Sequence, residues 1–155
     1  PFYYFKKHYN MGDISKDIHT TFLTEKLKAL INIKYTANWL NSKEVEFFKP
    51  FGISPQQYNI LRILRGAGKE IKVQIVKDRM IERAPNATRL MDKLCDKKLI
   101  KRIRCEHDKR VVYVTISKEG LRLLTKIGVL ADVGFMDKLT EKEALQLSDL
   151  LDKIR

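Results

Sequence analysis

What this chain of 155 residues has little of narrows its class before any motif is read. Two cysteines, Cys95 and Cys105, are too few for a disulfide framework, and a reducing cytoplasm is their simplest setting. No apolar run approaches the ~18 residues that a membrane span needs, so no membrane partner is expected. The opening PFYYFKKHYN lacks an apolar core and a small-residue cleavage pattern, so it does not read as a secretory signal. Met11 offers a natural start, and nothing is built on the residues before it. Seven glycines and four prolines leave no room for low-complexity or linker-dominated stretches. The three histidines, His8, His19 and His107, enter no Ser-His-Asp or Cys-His arrangement with a supporting context. Gly66-Ala67-Gly68-Lys69 is a poor phosphate loop. Ile63 stands where its first glycine belongs, and Glu70 stands where Ser or Thr would meet magnesium, so a helix stop is the better reading. Cys105, His107 and Asp108 crowd one short turn with no second cluster, which is weak support for a metal site. No enzyme, cofactor or metal is expected.

What is abundant is positive charge and patterned apolar sequence. Lys and Arg number 31 against 19 Asp and Glu, for a net charge of +12, and 44% of residues are hydrophobic, enough for a core. The charge is uneven. Residues 69–110 hold 14 basic and 7 acidic residues, net +7, whereas residues 111–155 hold 7 of each. A field concentrated in this way attracts polyanions, nucleic acid first.

Residues 20–49 have apolar positions at three- and four-residue steps, from Phe22, Leu23 and Leu27 to Val45 and Phe48, and read as one long helix. A single small domain cannot cover the apolar side of such a helix, so part of it is expected to pack on a second subunit. Pro50-Phe51-Gly52 ends it. Ser54, Pro55 and Gln57 form an N-cap, a first-turn proline and a capping box for the next helix. Residues 71–80 read as a short helix with Ile71, Ile75, Val76 and Met80 inward. A third helix is expected from Pro85 to about Lys98, burying Leu90, Met91 and Leu94. Alternation then predicts strands over 99–106, with Ile103 and Cys105 on one face, and over 111–116, joined by the polar turn 107–110. Ser117 caps a helix of about 118–131, and Thr140 to Glu143 is a capping box opening an amphipathic terminal helix.

Three helices followed by a basic hairpin make a winged helix-turn-helix. The expected fold is mainly α with a small β-hairpin wing (α+β) and long N- and C-terminal dimerisation helices. In domains, residues 1–19 are a tail and the start of the dimerisation region, 20–49 the dimerisation helix, 50–117 the DNA-binding lobe, and 118–155 the C-terminal dimerisation helices. A helix held by a rigid partner can enter the ~12 Å major groove, where base edges are distinguishable. Helix 85–98 offers Pro85 at its head, then Asn86, Thr88, Arg89, Lys93 and Lys97. The hairpin offers Arg102, Arg104, Lys109 and Arg110. Asn suits adenine edges, Arg suits guanine edges, and Lys suits phosphates.

Three segments carry a resemblance: PFGISPQQYNILRIL, RMIERAPNATRLMDKLCDKKLIKRIRC and DKRVVYVTISKEG. Together they resemble the MarR family of bacterial transcriptional regulators, from about residue 20 to the C-terminus. The most specific piece is Asp108-x-Arg110 followed by Thr115-Ile116-Ser117-x-x-Gly120, similar to the family's wing signature. Thr88-Arg89-Leu90 with Asp92-Lys93-Leu94 resembles its recognition helix. The resemblance implies a dimer joined by first and last helices, with recognition helices in successive major grooves of a pseudo-palindrome and a wing arginine at the minor groove. Asn86, Thr88 and Arg89 then fall on DNA-contacting positions, Arg110 on the wing arginine, and Asp108 on the acid that orients it. It also implies a small aromatic or anionic effector, for which Tyr35, Trp39 and Tyr58 are the candidate contacts. Lys98 departs from the family, where many members have Gly. It must adopt a left-handed backbone or shift the helix end. Cys95, beside Lys97 and Lys98, is a candidate redox-responsive thiol set against a packed one. The competing function is a winged-helix protein-interaction module whose basic face binds an acidic partner.

Overall fold

The computed structural model describes residues 12–81, 86–104, 111–128 and 134–155. The chain falls into two compact units, divided between Ser42 and Lys43. In the first, Asp13 caps the short helix α1 (Ile14–Asp17) by accepting from the Ser15 amide, and its carboxylate also meets Lys28 at 3.4 Å. Helix α2 (Glu25–Phe48) begins five residues later than its apolar spacing suggests, because the Thr24 hydroxyl accepts from the Leu27 amide and sets the start. Phe48 is the one buried residue of α2. Leu27, Leu30, Ile33, Tyr35, Trp39 and Val45 are all exposed.

The second unit holds the helix-turn-helix. A 3-10 turn at Lys49–Phe51 closes α2, and α3 (Pro55–Ala67) follows. Its capping box is as expected: Ser54 Oγ accepts from the Gln57 amide, and Gln57 Oε1 accepts from the Ser54 amide. Gln57 is itself buried, and its amide donates to the Leu90 carbonyl at 3.4 Å. The residue that starts α3 therefore also fastens it to the third helix of the lobe. Gly68, with φ of 63°, stops α3, which disposes of the phosphate-loop reading of residues 66–69.

Residues 71–80 are not one helix. Ile71–Lys72 form strand β1, and the helix is α4 (Val73–Arg79). Strand β1 pairs antiparallel with β3 (Val112–Ile116), Ile71 opposite Val114 and Lys72 opposite Tyr113. Strand β3 also pairs antiparallel with β2 (Ile100–Arg104), Ile100 opposite Ile116 and Arg104 opposite Val112. The sheet order is β1-β3-β2. Helix α5 (Ala87–Asp96) is shorter at both ends than 85–98. Helix α6 (Lys118–Ile127) ends at Gly128, and α7 (Glu141–Ile154) opens on the expected Thr140–Glu143 box.

The core joins every element of the lobe. Leu61 and Leu64 of α3, Val76 of α4, Met91 and Leu94 of α5, Val114 of β3 and Leu124 of α6 are all buried together. Each such side chain contributes roughly 1.5–3 kcal/mol by leaving water. Only the inner end of β2 shares in this. Ile100 is buried, whereas Ile103, which alternation puts inward, is 44% exposed. The outer end of β2 runs out beyond the core, so period-two patterning there no longer reports an inside.

Candidate nucleic-acid interface

Helix α5 has two opposed faces. Ala87, Met91 and Leu94 are buried at three- and four-residue steps, while Thr88, Arg89, Asp92, Lys93 and Asp96 are exposed. Asn86 is the N-cap residue, but its side chain makes no capping bond and it too is exposed. The structure thus brings Asn86, Thr88, Arg89 and Lys93 to one solvent-facing surface. No hydrogen bond or ion pair to another described residue holds their side chains.

Lys97 is the C-cap of α5 rather than part of its face, and its Nζ donates to the Gly52 carbonyl. Lys98 takes the left-handed backbone, with φ of 58°. The Leu99 amide bonds the Leu94 carbonyl at 2.9 Å and the Lys98 amide bonds that of Cys95 at 2.8 Å, the double closure that usually selects glycine at this position. Ser117 secures the turn from the other side. Its Oγ donates to the Lys98 carbonyl at 2.7 Å and its amide to the Leu99 carbonyl at 3.0 Å, while Oγ accepts from the Gly120 amide. The Ser-x-x-Gly part of the wing signature is therefore a clasp between the end of α5 and the start of α6.

Of the hairpin residues, Arg104 is exposed at the outer end of β2. Arg102 turns back onto α5, bonding the Asp92 carboxylate and, at 3.1 Å, the Thr88 carbonyl. Lys72, Gln74 and Lys77 join Thr88, Arg102 and Val112 around an open cleft beside the head of α5. The sequence does not single out Lys72, Gln74 or Lys77, and it marks Asp92 only as part of the recognition-helix signature, not as a partner of Arg102. The concentration of charge in residues 69–110 was the only signal that could have found the two lysines. Pro85, Asp108, Lys109 and Arg110 lie outside the described residues, as do Cys105 and His107.

Cys95 is half-buried, and burial, reinforced by Asp92 and Asp96, pushes its thiol above the usual range against a smaller opposing effect of Arg102. That favours a packed thiol over a reactive thiolate. Tyr35 and Trp39 are exposed on α2 in the first unit. Tyr58 belongs to the core of the second, its ring 4.5 Å from that of Phe48 and 6.0 Å from the Arg62 guanidinium. Among the described residues no acidic, histidine or cysteine cluster could hold a metal, and no helix is long and apolar enough to cross a membrane.

Comparison with known proteins adds independent information. The family described as transcriptional regulator SarA/Rot matches residues 45–127. The chain is 26% identical over 136 residues to the HTH-type transcriptional regulator MhqR of Bacillus subtilis, covering 85% of this chain and 93% of that one. A MarR transcription factor from Planctomyces limnophilus is 30% identical, with a TM-score of 0.66 and coverage of 86% of this chain and 98% of the other. A single-substitution mutant of MarR from E. coli, solved with operator DNA, has a TM-score of 0.69 at 23% identity, covering 92% of this chain and 99% of the other. A winged helix-turn-helix whose third helix bares a polar, basic face, matched over its lobe by a family of regulators and over most of its length by MarR proteins, has one placement: the chain belongs to the MarR family of winged-helix, DNA-binding transcriptional regulators and is not an enzyme.

Proposed function

We propose that the chain acts as a dimer that reads a pseudo-palindromic operator, with α5 of each copy in a major groove and the 107–110 wing at the adjacent minor groove. In this reading residues 20–49 and 118–155 make the dimer, 50–117 make the DNA-binding lobe, and the protein works in the cytoplasm. The observation that carries it is the bare face of α5: Asn86, Thr88, Arg89 and Lys93, exposed side by side, with side chains that bond no other described residue. Asn and Arg are suited to bidentate contacts with adenine and guanine, and Lys to phosphates. Arg104, Lys109 and Arg110 extend the basic surface along the hairpin, and Asp108 orients Arg110.

Selection of bound duplexes from a random pool tests this. The expected product is a pseudo-palindrome with half-sites centred about 10 base pairs apart. Affinity should fall steeply with salt as released counterions are replaced. Arg89→Ala should cost about 1–3 kcal/mol of discrimination at one base position per half-site. No selected sequence, combined with tight capture of an acidic polypeptide, would favour the protein-interaction reading instead.

A small aromatic or anionic effector is proposed to modulate this binding. Support comes from Tyr35 and Trp39, exposed and one helical turn apart on α2. The core position of Tyr58 leaves it a supporting role. Trp39 is the only tryptophan, so its fluorescence reports contact directly. A panel of aromatic acids should quench it and weaken operator binding together. An unchanged signal and unchanged affinity across the panel would remove the effector from the reading.

A further inference from the structure

Arg102 stands on strand β2 among residues whose charge invites a phosphate, yet its guanidinium points the other way. One terminal nitrogen bonds the Asp92 carboxylate and the other donates to the Thr88 carbonyl at 3.1 Å. Thr88 and Asp92 are four residues apart, one above the other along α5. Arg102 therefore grips the helix at two points on one line. A single contact off the helix axis leaves α5 able to pivot about that point; a second, one turn along and on the same rigid planar fork, opposes the pivot and adds to the hold of the buried Ala87, Met91 and Leu94. The immediate sequence neighbours of those two points are Arg89 and Lys93, on the face proposed to meet DNA.

Stability does not account for the arrangement. The two side chains are 28% and 51% exposed, and a pair so open to water adds little to stability. Asp92 also carries a negative charge onto the face that would approach a polyanion, where direct electrostatics makes it a liability. We infer that Arg102 and Asp92 are positioning residues for DNA recognition: together they fix the orientation of α5 against the wing strand, and neither contacts DNA. This rests on the DNA-binding reading above.

The test uses the full-length protein and the duplex recovered by selection, with affinity measured across a salt series. Asp92→Ala should weaken binding about tenfold, although it removes a charge that repels phosphate. It also places a better helix former on an exposed helical position, so a failure to fold is not the expected cause, and an unchanged melting curve checks this. Arg102→Ala should weaken binding by a similar factor with no change in the salt slope. The double variant should be no worse than the weaker single. Arg102→Lys should be nearly as poor as Arg102→Ala, since lysine keeps the charge but not the fork. The inference falls if Asp92→Ala binds as tightly as the parent or more so. It falls equally if Arg102→Ala lowers the salt slope by about one and Arg102→Lys restores binding, which is the behaviour of a phosphate contact. A parent protein that binds no duplex defeats both readings, whereas a parent that binds while Asp92→Ala tightens defeats this one alone.

Discussion

Gly120 shows how tightly single residues are specified around the end of α5. A β-carbon there would lie 2.3 Å from the Leu99 carbonyl oxygen and 2.8 Å from Ile116 Cγ1. The first of these is backbone, in the turn that Ser117 holds, and cannot swing aside. Gly120→Ala should destabilise the fold by about 1–3 kcal/mol, read as a lower urea midpoint at unchanged slope. The sequence motif marks Ser117 and Gly120 as special but not what they do, since their partners Lys98 and Leu99 lie some twenty positions earlier. At Lys98 the sequence poses a choice between a left-handed backbone and a shifted helix end, and the structure takes the left-handed turn, with φ of 58°. The work of Arg102 was not legible in the sequence. Alternation along a strand says which face a side chain takes, not that a bend of three residues brings Asp92 within its reach.

At the level of elements, caps are legible in the sequence and short strands are not. Ser54 and Gln57, Ser117, and Thr140 with Glu143 all cap as their spacing predicts. Two residues cannot display a period of two, and Ile71 is inward in either conformation, so β1 was hidden. The α7 cap yields a pH dependence. Glu143 accepts from both the amide and the hydroxyl of Thr140 at 2.8 Å, and the amide bond chiefly holds its carboxyl below the ordinary value of 4.5. A depressed carboxyl favours the folded end above the unfolded value, and that support is lost as pH falls through the folded one. Helical circular dichroism should therefore decline on acidification below pH 4.5, and Glu143→Gln, which keeps an acceptor but does not titrate, should show a smaller decline. Equal titrations in the two proteins would mean that this cap contributes nothing.

Across the whole molecule, charge and apolar surface are segregated along the chain. More than half of the basic excess, net +7 of +12, lies in residues 69–110, while the charge-balanced C-terminal stretch ends in α7, where Leu145, Leu150 and Ile154 are more than half exposed. Together with the open side of α2, this much apolar surface is expected to be covered by a second copy. Sedimentation at micromolar concentration should give the mass of a dimer, and Leu150→Lys should shift it toward monomer and weaken operator binding with it. A monomeric parent would overturn the assembly. The bare face of α5 carries one more implication. Because the side chains of Asn86, Thr88, Arg89 and Lys93 bond nothing else among the described residues, their identities are free to drift without harm to the scaffold. If that face reads DNA as proposed, a lineage built on this lobe can acquire new genomic addresses by exchanging a few letters, and the constraint on its history lies in the promoters it must follow.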